Sequence, residues 1–193
     1  MTKSAICPIS LFPRYISQEF SQQLQDESRT YPFTQPQIRH FGKSIAIPRQ
    51  QAWFADLGCD YKYSSLMMTA KPWPSLLAQL RQRLITDFGT PVNGVLVNHY
   101  RHGAESMGWH SDNEAEIVDN SDIYSISLGA TRDFLLRHSN GEKLTIRLHD
   151  GDLLIMHYPM QQEWQHSLPK RARVQTSRWN FTFRQVTPYF HES

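Results

Sequence analysis

Residues 178–184 read Arg-Trp-Asn-Phe-Thr-Phe-Arg, and their pattern is the clearest indication of the fold class. Polar and aromatic side chains alternate along it, and a period of two is typical of a strand with two different faces. In an unbroken strand both arginines share one face with Asn180 and Thr182. If that face points into a barrel, its guanidinium groups need anionic partners. A dicarboxylate is a natural partner, because guanidinium binds carboxylate through two parallel hydrogen bonds.

Short segments rich in β-branched and aromatic residues occupy the rest of the C-terminal half. Together with the strand described above, which extends to 186, the predicted strands are 95–100, 123–128, 134–138, 143–148, 153–157 and 178–186. Turn residues separate them, and Asn140-Gly141 between two such segments is a strong hairpin signal. The pattern predicts a sandwich or barrel of antiparallel strands.

The N-terminal half has a helical pattern instead. We predict one helix over 17–29 with Ser17 as its N-cap, and a second that begins with Ser75 as its N-cap and ends at Gly89. Three leucines share one face of the second helix: Leu77, Leu80 and Leu84. Between the helices, residues 39–65 suggest loops or hairpins. The whole chain therefore predicts a β-rich α+β fold.

Length and composition limit the classes of protein to which this chain can belong. The chain has 193 residues, 39% of them hydrophobic, which is the size of one domain. No stretch approaches the roughly 18 apolar residues of a membrane span, and the N-terminus has no signal-peptide pattern. Cys7 and Cys59 form no CxxC motif, so neither a disulfide framework nor a thiolate zinc site is predicted. We expect an intracellular protein with no membrane partner.

Charge is distributed unevenly, although the formal net charge is only +2. Residues 170–184 carry five basic and no acidic side chains, whereas 112–122 carry five acidic and no basic ones. Two interpretations stay open: one end of the fold is polarised, or both runs are solvated faces. The total charge alone does not imply a polyanionic partner.

Residues 109–112, Trp-His-Ser-Asp, contain a His-x-Asp motif. In an extended segment the imidazole and the carboxylate point to one side and can meet a single ion. Two histidines and one carboxylate on one face of an octahedron is the arrangement of non-haem iron(II) oxygenases. His149, His157 and His166 are all candidates for the third ligand, and spacing does not choose among them.

Further spaced residues complete a larger pattern. Asn98-x-Tyr100, His110-x-Asp112, a distant His166 and Arg178-x-Asn180-x-x-x-Arg184 follow one another in this order. The order resembles the AlkB family of Fe(II)/2-oxoglutarate-dependent dioxygenases over roughly residues 41–186. Segments that resemble the branch of the animal DNA-repair homologues are 48–51, 61–64, 71–73, 129–134 and 164–169.

This resemblance implies an architecture. A double-stranded β-helix, or jelly-roll, core would occupy about 93–188, and supporting helices with nucleotide-recognition hairpins would occupy about 1–92. Both parts would belong to a single dioxygenase domain over 1–193.

The resemblance also implies a role for each residue of the pattern. The implied ligands of Fe(II) are His110, Asp112 and His166. The implied 2-oxoglutarate-binding residues are Asn98, Tyr100, Arg178, Asn180 and Arg184. Within this set Arg178 would meet the distal carboxylate with Tyr100, and Arg184 would meet the carboxylate that touches the metal. The implied reaction uses O2 to decarboxylate 2-oxoglutarate and to hydroxylate an N-methyl group, which then leaves as formaldehyde.

A methylated base must leave the duplex stack to reach such a site. The resemblance implies that Tyr63 stacks on the flipped base opposite His110, with Tyr61 beside it, and that Glu114 contacts an exocyclic amine. Phe41 would insert into the duplex and fill the vacated space. The competing interpretation is that the three aromatic residues pack ordinarily and that Glu114 is a solvated charge.

The leading hypothesis is repair of 1-methyladenine and 3-methylcytosine in single- or double-stranded DNA, with RNA as an additional substrate. One alternative moves the same chemistry to a methyl group of tRNA, mRNA or protein. Another is a non-catalytic nucleic-acid-binding module with the same fold. We expect a monomer, cytoplasmic if the source is bacterial and nuclear if it is eukaryotic. We also expect Asp112→Ala to abolish turnover and to leave the fold largely intact.

Overall fold

Two antiparallel sheets form the centre of the computed structural model, which describes residues 6–40, 43–63 and 66–192. The strands are β1 (Ile9–Phe12), β2 (Gln37–His40), β3 (Lys43–Ala46), β4 (Gln50–Ala55), β5 (Tyr61–Tyr63), β6 (Leu66–Met68), β7 (Gly94–Tyr100), β8 (Met107–His110), β9 (Ile123–Gly129), β10 (Arg132–His138), β11 (Lys143–Leu148), β12 (Leu153–Met156), β13 (Trp164–Leu168) and β14 (Arg178–Arg184). The major sheet has the order β1-β12-β9-β14-β7-β4, and the minor sheet has the order β11-β10-β13-β8. Two hairpins, β2–β3 and β5–β6, lie outside both sheets.

The predicted β-rich α+β class is confirmed, and each predicted strand is present within one or two residues of its predicted ends. Asn140-Gly141 lies in the turn between β10 and β11, which pair antiparallel with Arg137 opposite Lys143. Gly141 has a φ of 95°, a conformation that favours glycine. The hairpin prediction is therefore confirmed.

Four strands of the two sheets were not predicted: β1, β4, β8 and β13. The prediction of loops or hairpins for 39–65 is right for β2–β3 and wrong for β4, which pairs with β7 in the major sheet. Five of the six residues of β4 are buried, so the strand lacks the alternation that reveals a half-exposed strand. In β8 and β13, residues of low β-propensity such as Gly108 and Ser167 extend because neighbouring strands pair with them.

Helices α1 (Gln18–Ser28) and α2 (Ser75–Phe88) cover one face of the major sheet, and a short α3 (Met160–Glu163) precedes β13. Leu24 of α1 and Leu80 of α2 belong to one buried cluster with Phe181 and Phe183 of β14. Burial of each such side chain stabilises the fold by roughly 1.5–3 kcal/mol. Because the phenylalanines of β14 face the helices, the alternate residues of that strand face the minor sheet.

A side-chain hydrogen bond fixes the start of α1, and a glycine fixes the end of α2. The Ser17 side chain accepts a hydrogen bond from the backbone N–H of Phe20 at 3.1 Å, so the predicted N-cap of α1 is confirmed. Gly89 ends α2 with a φ of 73°, as predicted. Within the described ranges no helix combines the length and the apolar character needed to cross a membrane.

The predicted N-cap of α2 is wrong. Pro74 takes that position, and Ser75 is the first helical residue and makes no capping bond. The N–H of Leu76 donates instead to the carboxylate of Glu27 at 2.9 Å, so α1 supplies the cap of α2. A carboxylate at a helix N-terminus also interacts favourably with the helix dipole.

Candidate active site

A cavity lies between the inner faces of the two sheets. The major sheet contributes polar side chains from β7 and β14: Asn98, Tyr100, Arg178, Asn180, Thr182 and Arg184. The minor sheet and the segment after β8 contribute His110, Asp112 and His166. The predicted division of β14 into a polar and an aromatic face is therefore confirmed, and the polar face lines the cavity.

His110, Asp112 and His166 form a compact group at one end of the cavity. His166 of β13 lies opposite His110 of β8, and their ring centroids are 4.1 Å apart. Oδ1 of Asp112 is 3.5 Å from Nε2 of His110 and 3.9 Å from Nε2 of His166. One ligand atom from each residue lies within 4.8 Å of the others, a spacing at which three donors can share one ion.

Both imidazoles are prepared to act as ligands. Nδ1 of His110 donates to the carbonyl oxygen of Gly108 at 2.9 Å, which leaves Nε2 for an ion. Burial, with a further contribution from His110, lowers the pKa of His166 to about 3. The ring of His166 is therefore neutral at physiological pH, which is the form that binds metals.

The other two histidines considered for the third position lie elsewhere. Nδ1 of His157 is 2.8 Å from the Asp122 carboxylate, and its Nε2 is 2.8 Å from the Ser10 hydroxyl. Nδ1 of His149 is 3.1 Å from the hydroxyl of Thr131. Of the three candidates, only His166 belongs to a potential metal-binding group in the described part of the chain.

Arg178 lies on the floor of the cavity as a buried cation without an acidic partner in the described residues. Its Nη2 donates to the Ser127 hydroxyl at 2.8 Å and to the Asn180 side-chain oxygen at 3.1 Å, whereas its Nε and Nη1 make no hydrogen bond there. Burial lowers the pKa of Arg178 to about 10. The guanidinium lies 5.7 Å from the ring centre of Tyr100. A carboxylate placed here would satisfy the unpaired donors.

Arg184 lies at the end of the cavity that contains His110, Asp112 and His166. Its Nη2 donates to Oδ2 of Asp112 at 2.7 Å, and both side chains are buried. Burial alone would raise the pKa of Asp112, but Arg184 and the two imidazoles outweigh it and hold that pKa well below its usual range. Because Asp112 neutralises a buried arginine, we expect Asp112→Ala to cost stability as well as turnover, unlike the expectation from the sequence alone.

Two buried arginines that the sequence did not single out support this site. Nε of Arg49 donates to the side-chain oxygen of Asn98 at 2.9 Å. Nη2 of Arg132 donates to the carbonyl oxygens of Glu105 and Pro169, and this guanidinium lies 5.9 Å from the Tyr100 ring. Both arginines fall in segments that carry the family resemblance, 48–51 and 129–134, and that was the only signal available.

Tyr61 is fully buried, and its ring stacks on Trp53 with centroids 4.6 Å apart. The ring is therefore not open to a stacked base. Its centre lies 5.2 Å from the guanidinium carbon of Arg184, and its hydroxyl lies beside the Glu114 carboxylate. The two groups influence each other's pKa but make no regular hydrogen bond. Burial, and next the Asp112 carboxylate, raise the pKa of Glu114. Glu114 is accordingly not the solvated charge that the competing interpretation required.

The structure does not describe the side chains of the other two predicted substrate-binding residues, Tyr63 and Phe41. The backbone of Tyr63 ends β5, but its side chain lies outside the described part of the structure. Phe41 lies wholly outside the described residues.

The basic run over 170–184 is divided between two environments. Arg178 and Arg184 are buried in the cavity, whereas Lys170, Arg171 and Arg173 line a surface depression. The acidic run over 112–122 is divided in the same way, because Asp112 and Glu116 are buried. Neither run is a single solvated face, so that interpretation is wrong, whereas the polarisation of one end of the fold stays a prediction.

Comparison with known proteins agrees with this geometry. The family model described as the 2OG-Fe(II) oxygenase superfamily matches residues 8–184, which include all the polar cavity residues. The chain belongs to this superfamily. The oxygenase is 36% identical over 187 residues to DNA oxidative demethylase ALKBH2 of Mus musculus, which covers 92% of this chain and 78% of that protein. It is 32% identical over 200 residues to alpha-ketoglutarate-dependent dioxygenase alkB homolog 3 of Homo sapiens, covering 97% of this chain and 69% of that protein.

These relatives make the oxygenase a member of the AlkB family, as the sequence resemblance predicted. The solved structure of OsALKBH1 matches 95% of this chain and all of that chain with a TM-score of 0.68 at 16% identity, which supports the jelly-roll fold. The enzyme is thus a dioxygenase that uses Fe(II), 2-oxoglutarate and O2. The cavity fits these groups, because it offers two imidazoles and a carboxylate at one end and the unpaired donors of Arg178 on its floor.

Proposed function

We propose that this AlkB-family oxygenase removes methyl groups from 1-methyladenine and 3-methylcytosine in DNA. One observation carries the proposal. A His-Asp-His group and an unneutralised buried arginine share one cavity, in a chain 36% identical to a DNA oxidative demethylase over most of its length. The relative is named as a DNA oxidative demethylase, and the cavity has the donors that such an activity needs.

In this proposal His110, Asp112 and His166 hold the iron. When bound, iron and 2-oxoglutarate would supply, together with O2, the oxidation that hydroxylates the N-methyl carbon, with succinate, carbon dioxide and finally formaldehyde as products. The protein contributes orientation and electrostatics rather than an acid, a base or a nucleophile.

The two arginines of β14 would orient 2-oxoglutarate. Arg178 offers Nε and Nη1 to the distal carboxylate, with Tyr100, Asn98 and Asn180 around it. Arg184 keeps its bond to Asp112 and still has an unpaired Nε for the carboxylate nearer the metal. Charge-assisted hydrogen bonds of this kind are the strong ones in proteins.

The base-recognition residues belong to the same proposal. A flipped base would stack on Tyr63 with His110 on its other side, and Glu114 with the Tyr61 hydroxyl would contact its polar edge. Phe41 would occupy the space that the base leaves. We further propose that the enzyme acts inside the cell as a monomer and that RNA is an additional substrate.

The test is a demethylation assay with defined oligonucleotides. Purified protein with Fe(II), ascorbate and 2-oxoglutarate is given DNA with 1-methyladenine or 3-methylcytosine, single- and double-stranded, and the matching single-stranded RNA. Mass spectrometry follows methyl loss, and succinate is measured in parallel. We expect 2-oxoglutarate-dependent loss of one methyl group from DNA, and none with Asp112→Asn. Succinate formation without methyl loss from any DNA would reject the DNA substrate, and loss from RNA alone would select the RNA alternative.

A further inference from the structure

Glu116 is a buried carboxylate that lies outside the cavity and has no part in the proposed metal or 2-oxoglutarate binding. Its exposed fraction is 2%, and it follows Asp112 by four residues. One carboxylate oxygen, Oε1, accepts the backbone N–H of Lys62 at 2.5 Å and lies 3.3 Å from Nε2 of His191. A buried carboxylate is costly unless it is paired, so these contacts define its environment. Glu116 therefore joins its own segment to two other parts of the chain.

The first of these parts is the β5–β6 hairpin. Lys62 lies between Tyr61 and Tyr63 in β5, and each strand of this hairpin has three residues. A two-stranded hairpin is marginally stable on its own. The bond from Lys62 to Glu116 therefore ties the backbone between the two tyrosines to the segment that carries Asp112 and Glu114.

The second part is the C-terminal segment, residues 187–192, which contacts both the Glu116 segment and the turn that precedes the hairpin. The N–H of Thr187 donates to the carbonyl oxygen of Glu116 at 2.8 Å, and the N–H of Tyr189 donates to the carbonyl oxygen of Gly58 at 2.7 Å. The ring of Tyr189 lies so close to Gly58 that a Cβ there would approach its Cε1 to 2.5 Å. His191, in the same segment, places its Nε2 3.3 Å from Oε1 of Glu116.

We propose that Glu116, braced by His191, is a positioning residue for base recognition. It fixes the distance between the hairpin bearing Tyr61 and Tyr63 and the segment bearing Glu114, and it does not touch the base. This inference rests on the proposed function, because those three residues are the ones assigned there to the base. The C-terminal segment then contributes to the substrate site through the contact of His191 with Glu116.

The experiment compares Glu116→Ala, Glu116→Gln and the control Glu192→Ala, an exposed acid of the same segment, in the full chain with Fe(II). The KM values for a methylated DNA oligonucleotide and for 2-oxoglutarate are measured separately, and hydrogen exchange is followed at the amides of residues 61–63 and 66–68. For Glu116→Ala we expect an oligonucleotide KM about tenfold higher, because a hydrogen bond to a charged group is lost. We expect the KM for 2-oxoglutarate to change less than about twofold, and faster exchange in the hairpin alone.

Glu116→Gln should recover most of the oligonucleotide affinity, because its amide oxygen still accepts from Lys62. If Glu116→Ala does not fold, His191→Ala tests the brace through a smaller rise in the same KM. Equal rises in both KM values, or faster exchange throughout the chain, would reduce Glu116 to a general structural role and overturn the proposal. Unchanged hydrogen exchange in the hairpin of Glu116→Ala would also overturn the proposal, and this result does not depend on any demethylation activity. Failure of the proposed function would appear differently, as no methyl loss with the wild-type protein.

Discussion

Nη2 of Arg184 donates to Oδ2 of Asp112 across 2.7 Å inside the protein, and so links the arginine-bearing face of β14 to the His110-Asp112-His166 group. Tyr61 covers the other side of this arginine, with its ring centre 5.2 Å from the guanidinium carbon. Each charge offsets the cost of burying the other, so the loss of one member would leave the other buried and uncompensated.

Removing one member of this pair should destabilise the metal-free protein. We expect Asp112→Ala to lower the free energy of unfolding by about 3–5 kcal/mol, because Arg184 is left as an uncompensated buried charge. Asp112→Asn keeps a hydrogen-bond acceptor and should cost less, although both variants should lose turnover. Urea denaturation of the metal-free proteins measures the difference. Asp112→Ala with wild-type stability would contradict the role of the pair, and addition of Arg184→Met should restore part of the loss.

Arg178 should matter for cosubstrate binding and not for folding. We expect Arg178→Met to weaken 2-oxoglutarate binding by about 10- to 100-fold, the equivalent of one or two hydrogen bonds to a charged group. The stability of the empty protein should not fall, because a buried guanidinium without an acidic partner is replaced by an apolar side chain. Thermal unfolding with and without 2-oxoglutarate tests both statements. The exposed Arg147→Met is the control, and retained stabilisation by 2-oxoglutarate in Arg178→Met would exclude the assignment.

Phe41 should distinguish duplex from single-stranded substrates. If it fills the space of a flipped base, Phe41→Ala should reduce demethylation of double-stranded DNA about tenfold and that of single-stranded DNA less than about twofold, because only a duplex has a stack to hold open. The same oligonucleotide, alone and annealed to its complement, provides the comparison. Equal reductions on both substrates would remove the wedge role.

His99 should make stability depend on pH. Its ring lies flat on Trp179, with centroids 4.6 Å apart and planes 4° from parallel. Burial lowers the pKa of His99 below 6.5, although Glu105 opposes the shift. The folded protein therefore holds a neutral ring, and the unfolded chain binds the proton more readily. The contribution of His99 is complete above about pH 6.5 and is lost as the pH falls below that value.

Denaturation at pH 8, 6.5 and 5 measures this effect. We expect the wild type to lose more stability between pH 8 and 5 than His99→Phe, which keeps a ring on Trp179 but does not titrate. Identical pH dependence of the two proteins would show that His99 does not contribute.

Gly103 should not tolerate a side chain. A Cβ at this position would lie 1.8 Å from the carbonyl oxygen of Arg171, a backbone atom that is itself held by the bond from the Arg171 N–H to the Gly103 carbonyl. We expect Gly103→Ala to destabilise the protein by about 1–3 kcal/mol through overpacking. Gly108→Ala is the matched control, because a Cβ there meets nothing within 4 Å. Chemical denaturation of both variants decides, and equal stabilities would contradict the predicted overlap.

Strand β14 shows how much of this fold and site could be predicted from the sequence. Its alternation predicted the strand, its two faces and the need for an anion near the arginines, because a period of two can be read from neighbouring residues alone. Neither Arg49 nor Arg132 has such a local signal. Their roles depend on contacts with Asn98, Glu105 and other residues far along the chain.

The same limit explains the unpredicted strands and the burial of Tyr61. Strand β13 contains glutamine, histidine and serine, and it extends because β10 and β8 pair with it on both sides. The sequence placed Tyr61 and Tyr63 on one face, but it held no information that Trp53 would cover the ring of Tyr61. Periodicity predicts which residues share a face, and only tertiary packing determines what that face meets.

The alternation of β14 has a consequence for how such an enzyme can evolve. Inserting or deleting one residue in this strand would move its arginines into the core and its phenylalanines into the cavity, so stability and oxidation chemistry would be lost together. The hairpins β2–β3 and β5–β6 lie outside both sheets. A change in their length would leave that register intact, so the proposed base-contacting residues could change without altering the polar face of β14, except at Tyr61, which packs over Arg184.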